Sequence, residues 1–159
     1  MRIACCPGTY DPVTNGHIDI VSRAAACFDR VIVAVAINPD KQPMFGLEER
    51  LAMLKEATAA ITGVEVDSFT GLLVDYARVR DVTAIVKGLR AISDFDYELQ
   101  MAQMNYRLAR VETLFMTTNP SYSYLSSSLV KEVARYGGEV SGLVPESVAT
   151  RLRDRAGQR

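Results

Sequence analysis

Little in this sequence points to the commoner kinds of chemistry. It holds a single histidine, His17, so candidate general bases of that type are reduced to one. Its three cysteines, Cys5, Cys6 and Cys27, form no even set and lack C-x-x-C spacing, which supports neither a secreted disulfide framework nor a zinc site and fits a reducing cytoplasm. Charge of one sign is also missing. Eighteen Lys plus Arg stand against nineteen Asp plus Glu, a formal net charge of -1, so no global positive field draws the chain to nucleic acid or acidic membranes. The one basic cluster, "RLRDRAGQR" over 151–159, reads as a solvated helix end. No apolar run approaches membrane-spanning length, and the stretch Met1 to Cys6 is too short for the apolar region of a signal peptide. A soluble cytoplasmic protein is the expectation.

What is present is an ordinary globular composition: 48% hydrophobic and 23% charged over 159 residues, with no low-complexity tract, internal repeat or linker. A chain of this length buries about 68–70% of its unfolded surface as one domain, here 1–159. Short apolar runs at 2–6, 30–37, 64–66, 83–87 and 113–117 each precede a helical pattern, at about 16–27, 47–60, 71–80, 94–109, 127–136 and 146–155. In 47–60, Leu47, Leu51, Leu54 and Thr58 recur at three- and four-residue steps, and in 94–109 Tyr97, Met101, Met104 and Leu108 do the same; both stripes read as core. Buried strands alternating with helices predict an α/β fold, a single doubly wound, Rossmann-like parallel sheet with helices on both faces. Cys5 and Cys6, within the first strand, read as small buried apolar residues.

In a doubly wound sheet, ligands bind beyond the carboxyl ends of the strands, where helix N-termini offer unpaired N–H groups. The first such loop is "PGTYDPVTNGH", Pro7 to His17. Pro7 is expected to end the strand, Gly8 to allow close approach of a ligand, and Thr14 or Asn15 to cap a helix that carries His17 in its first turn. An imidazole there either is satisfied within the fold or donates a hydrogen bond to a phosphate oxygen. Neither G-x-x-x-x-G-K-[ST] nor G-x-G-x-x-G occurs, so phosphate has to be held in another way. Lys41 after the second strand, and Lys87 and Arg90 around Gly88 after the fourth, bring cations to strand ends, suited to a substrate with several phosphates. Ser126, Ser127 and Ser128 open a helix; one suffices as a cap, while three can grip outer phosphates. Asp94, Asp96 and Glu98 suit the dipole of a helix start, with no spacing that makes a metal site.

"TNGH", Thr14 to His17, resembles the [T/H]-x-G-H signature of the nucleotidyltransferase superfamily. Taken with "KGLRAISDFDYELQMAQMN" (87–105) and "YSYLSSSLVKEVARYGG" (122–138), the chain resembles the phosphopantetheine adenylyltransferase family from Arg2 to about Leu152. The resemblance implies transfer of AMP from ATP to 4'-phosphopantetheine, giving dephospho-coenzyme A and pyrophosphate without a covalent enzyme intermediate. It implies that His17 steadies the α-phosphate and that Thr9, Lys41 and Lys87 serve the acceptor phosphate. Leu73 lines the pantetheine arm, or is simply core. ATP is then bound by Thr9, Tyr10, His17, Gly88, Leu89, Arg90, Glu98 and the 122–128 segment: Tyr122, Ser123, Tyr124, Leu125, Ser126, Ser127 and Ser128. Leu125 stands where Ile is usual, and Lys87 where many members carry Arg. Magnesium is expected to enter on ATP, coenzyme A to be a feedback ligand, and the chain to form homohexamers. Two other readings stay open: a superfamily enzyme with a different acceptor such as nicotinamide mononucleotide, and a non-catalytic ATP- or AMP-sensing module.

Overall fold

The computed structural model describes residues 1–90 and 95–158. Five strands alternate with helices: β1 (Ile3–Gly8), α1 (Asn15–Cys27), β2 (Arg30–Ala36), α2 (Leu47–Thr58), β3 (Val64–Phe69), α3 (Leu73–Val79), β4 (Ala84–Leu89), α4 (Phe95–Ala109) and β5 (Glu112–Thr117). A 3-10 turn at Pro120–Tyr122 leads to α5 (Ser127–Arg135) and α6 (Glu146–Ala156). The strands pair in parallel in the order β3-β2-β1-β4-β5. This is the doubly wound, Rossmann-like architecture that the strand-helix alternation predicts.

Each face of the sheet has its own core, because successive residues of a strand point to opposite sides. Ala4 and Cys6 of β1 and Val31, Val33 and Val35 of β2 pack with Ile20, Val21, Met53, Leu54, Val130, Val148 and Leu152 from α1, α2, α5 and α6. Ile3, Cys5, Ile32, Ala34 and Ile85 pack on the other face with Ala77 of α3 and Val111 just before β5. Coverage is therefore unequal. After β5 the chain returns over the end of the sheet, and α5 and α6 join the first face beside α1.

Three expectations are corrected here. Pro7 does not end the first strand: β1 continues through Pro7 to Gly8, which stay in parallel register with Ala34 and Val35. Lys87, Gly88 and Leu89 likewise lie inside β4, paired with Phe115, Met116 and Thr117, so only Arg90 of that group follows the strand. In both cases the sheet's parallel ladder carries the strand past the point where the apolar run stops. The stripe on α4 is not core in this chain. Tyr97 is 60% exposed, Met101 40%, Met104 50% and Leu108 50%. Asp94, expected to open that helix, lies outside the described residues.

The basic cluster after 150 is also more than a solvated end. Arg151 pairs with Glu56 at 2.8 Å and Arg155 with Glu49 at 2.5 Å, and Arg155 donates to the Met44 carbonyl at 2.6 Å and lies over the Phe45 ring. These arginines fasten α6 to α2. No helix among the described residues is long and apolar enough to cross a membrane.

Candidate active site

Strand order reverses at β1 and β4, whose following helices pack on opposite faces, and the main cavity opens at the carboxyl ends of these two strands. It measures about 350 Å3 and is walled by β1 (Cys6 to Gly8), the start of α1, β4 and the residues before and at the start of α5. His17 and Ser126 to Ser128 share this wall, although 109 residues separate His17 from Ser126 in sequence (126 − 17).

His17 is held by a local device. Thr14 is the N-cap of α1, accepting from the His17 N–H at 3.4 Å, while the imidazole Nδ1 accepts from the Thr14 N–H at 2.9 Å. This is a reciprocal capping box in which His takes the place usually held by Glu or Gln. An N–H donor facing Nδ1 makes Nδ1 the unprotonated nitrogen, so Nε2 carries the hydrogen. Burial, followed by the nearby charges of Arg90 and Lys87, lowers the His17 pKa to about 4. The imidazole is therefore neutral at physiological pH and holds its N–H at Nε2 in a fixed orientation.

Tyr10 supports the same ring. Its aromatic edge meets the His17 ring at 4.9 Å between centroids, and its hydroxyl donates to the Cys6 carbonyl at 2.8 Å. Tyr10 adopts a left-handed φ of 52°, a conformation that costs free energy for a residue with a side chain. The fold pays that cost by burying the ring, which is 6% exposed. A Cβ at Gly8 would lie 3.0 Å from this ring, so the bare glycine backbone leaves the ring room that a larger residue would crowd. Burial holds the Tyr10 hydroxyl well above its ordinary pKa and pushes the Cys6 thiol up to about 12. Cys6 lines the cavity as a neutral thiol, without nucleophilic character.

In the same cavity Lys87 lies 3.4 Å from Glu98 of α4. Both residues also line a second cavity, of about 160 Å3, with Leu73, Tyr97, Met101, Asn105 and Thr113. The Lys87–Glu98 pair thus stands between a polar chamber and a more apolar one. The Thr113 hydroxyl in this second chamber is buried without a hydrogen-bond partner among the described residues. Gly88 packs under Ile20 of α1, where an added Cβ would come within 3.1 Å. Arg90 donates to the Leu125 carbonyl at 2.9 Å and ties the end of β4 to the approach to α5.

The serines divide their tasks. The Ser126 hydroxyl caps α5 by accepting from the Leu129 N–H at 3.1 Å, and Ser127 donates to the Pro12 carbonyl at 2.7 Å. Ser128 makes no side-chain hydrogen bond among the described residues, so one hydroxyl and the first N–H groups of α5 remain for a ligand. His17, Lys87, Gly88, Arg90, Glu98, Tyr10, Tyr122, Leu125 and the three serines all line the main cavity. Thr9, Lys41, Leu89, Ser123 and Tyr124 do not line it. Thr9 and Lys41 are exposed on neighbouring loops, Leu89 accepts from Thr118 through its carbonyl, Ser123 donates to Pro120, and Tyr124 is 54% exposed.

Sequence reasoning passed over Asp11 and Arg50. Asp11 is 3% exposed and Arg50 5%. Arg50 donates to the Thr9 carbonyl at 3.0 Å, with its Nε buried and unpaired. Their partners are distant in sequence, so no local pattern announces them. No group of three or more His, Cys, Asp or Glu among the described residues is arranged to hold a metal ion.

A family model described as cytidylyltransferase-like matches residues 5–133. The chain is 60% identical to a phosphopantetheine adenylyltransferase of Frankia casuarinae, over 99% of this chain and 100% of that protein. It is 61% identical to the enzyme of that name from Frankia alni, over 98% of this chain and 99% of the relative. The Streptomyces coelicolor protein of that name is 58% identical over 98% of this chain and its own full length. With its imidazole donor and serine-capped helix facing one cavity, the chain belongs to the cytidylyltransferase-like nucleotidyltransferases and, within them, to the phosphopantetheine adenylyltransferase family of enzymes.

Proposed function

We propose that the protein transfers the adenylyl group of ATP to 4'-phosphopantetheine, giving dephospho-coenzyme A and pyrophosphate. The observation that carries this reading is the convergence of the neutral His17 donor and the serine-capped N-terminus of α5 on one chamber. That chamber adjoins, across Lys87 and Glu98, a second and more apolar one. A triphosphate suits the first, and the slender pantetheine arm, which alternates methylene and amide groups, suits the second, where Leu73, Asn105 and Thr113 stand in the wall.

The acceptor phosphate is largely dianionic near neutral pH, its second pKa being about 6, and needs no general base. One of its oxygens attacks the α-phosphorus in line. The bond from that phosphorus to the β-phosphate oxygen breaks, and pyrophosphate leaves with the electron pair. Catalysis then consists of positioning and charge stabilisation. His17 donates from Nε2 to an α-phosphate oxygen as negative charge develops there. Ser128, the N–H groups of α5 and Arg90 receive the outer phosphates.

Lys87 is the acceptor-phosphate cation, released from Glu98 as the phosphate arrives, and Lys41 and Thr9 approach it from their exposed loops. Gly88, Leu89, Glu98 and the 122–125 segment complete the nucleotide's surroundings. Magnesium, carried in as part of the ATP substrate, would neutralise charge developing on the phosphates. The protein works in the cytoplasm as a homo-oligomer, a hexamer by family resemblance, with coenzyme A as a feedback ligand. The exposed apolar stripe of α4 supports assembly.

The test is pyrophosphate release with ATP, magnesium and 4'-phosphopantetheine, run beside His17→Ala. Wild-type turnover with a kcat loss of about 10²–10³-fold in the variant, at little-changed KM, is the expected result. Turnover with nicotinamide mononucleotide instead would reassign the acceptor. Tight ATP binding without pyrophosphate release for any acceptor would make the protein a sensor.

A further inference from the structure

We propose that Asp11 and Lys131, which line neither of the two chambers described above, are positioning residues that lock the Lys41-bearing loop to the helix whose start receives the triphosphate. The inference rests on the two-substrate reading above. Asp11 accepts at Oδ1 from the Phe45 N–H at 2.8 Å, and at Oδ2 from the Met44 N–H at 2.9 Å. Oδ2 also accepts from the Lys131 Nζ at 2.9 Å. Met44 and Phe45 end the segment that follows β2 and contains Lys41. Lys131 belongs to α5, four residues after Ser127 and so on the same side of that helix. Ser127 donates to the carbonyl of Pro12, the residue next to Asp11. Residues 11–12 therefore grip α5 at two points one turn apart, while the same carboxylate grips the 44–45 backbone.

The side chain of Asp11 is 4% exposed and that of Lys131 20%. A carboxylate so enclosed depends on all three donors, since withdrawing one leaves a desolvated anion under-paired. Neither α5 nor the 44–45 segment can shift without that penalty. In-line transfer between two bound substrates is sensitive to displacements of about 1 Å, and the element for each substrate's phosphate is attached to this one carboxylate. The sequence separations are 33 residues to Met44 and 120 to Lys131, so the lock is a product of the tertiary fold.

A part that merely stabilises the fold would lower thermal stability and leave the kinetics of the folded enzyme intact. The lock makes a different demand: removing a group on the nucleotide-side helix must disturb the acceptor. In Lys131→Met we expect kcat to fall about tenfold and KM for 4'-phosphopantetheine to rise about threefold or more. Lys131→Arg keeps the charge and should recover most of both. Asp11→Asn/Lys131→Met should be no worse than Asp11→Asn alone, because the two act as a unit.

Amide hydrogen exchange supplies a readout independent of turnover. The Met44 and Phe45 N–H groups should exchange about tenfold faster in Lys131→Met than in wild type. Unchanged exchange at these two amides would overturn the proposal, as would a folded Lys131→Met with kcat and acceptor KM within twofold of wild type. Losses that multiply in the double variant would do the same. If wild type itself releases no pyrophosphate, the functional reading fails, and the exchange measurement still decides whether Lys131 holds the 44–45 backbone through Asp11.

Discussion

Helices α2 and α4 carry apolar stripes of the same period, yet the fold treats them oppositely. On α2, Met53 and Leu54 are fully buried and Thr58 nearly so, and the flanking Leu47 and Leu51 pack against the same core. On α4, Met101, Met104 and Leu108 are 40–50% exposed, and Leu114 on the adjacent edge strand β5 is 45% exposed. The reason lies in the layers around the sheet. Four helices cover the face to which α2 belongs, whereas α3 and α4 alone cover the other, leaving the outer side of α4 with no third layer. A 3.6-residue period states that a face is to be covered and does not say by what.

The sharpest way to break this contrast is one substitution made twice. Met53→Ala should cost about 2–5 kcal/mol of unfolding free energy, the range for emptying a filled core site. Met104→Ala should cost less than about 0.5 kcal/mol at protein concentrations low enough to dissociate the proposed assembly. Urea unfolding measures both. A large, concentration-dependent loss for Met104→Ala would mean that a second copy covers α4, and sedimentation of Met104→Glu would then show smaller particles.

The next effect belongs to the enclosed side alone. His17 has a folded pKa of about 4, below the unfolded value of about 6.5. In the window between these values the unfolded chain binds more protons, so stability rises with pH there. The contribution is complete above pH 6.5 and is lost as pH falls towards 4, up to on the order of 3 kcal/mol. The stability difference between pH 7 and pH 5 should shrink in His17→Asn; an unchanged difference would mean that the imidazole titrates normally.

Smaller still is the cap itself. Thr14→Ala removes the hydroxyl that receives the His17 N–H and should cost about 0.5–2 kcal/mol. It should also reduce turnover, because the imidazole loses one wall of its socket. Tyr10→Phe deletes only the bond to the Cys6 carbonyl and should cost about 0.5–1.5 kcal/mol with the ring contact to His17 retained. Thermal unfolding and kcat measured together separate these two supports of the same ring.

Much of the site was legible because its parts are local. "TNGH" contains the complete capping box, and the serine run contains its own helix cap. Both are set by neighbours three residues apart, a distance over which sequence pattern and geometry are nearly the same thing. Asp11 sits in the Pro7–His17 loop and still carries no sequence signal, because its partners come from 33 and 120 residues away. The Lys87–Glu98 pair was equally hidden, since it joins a strand to a helix across the cavity wall.

The sequence by itself determined the alternation of strands and helices, the burial of β1 and β2, the family, and the helix caps at Thr14 and Ser126. These follow from periodicity, capping chemistry and motif, all properties of short segments. Only the tertiary structure decided that α5 returns to the first face with its N-terminus beside His17, that Lys87 stands between two chambers, and that α4 is left uncovered. Those outcomes depend on strand order and on which side each crossover packs, and they bring together residues whose separation along the chain carries no local trace of the contact.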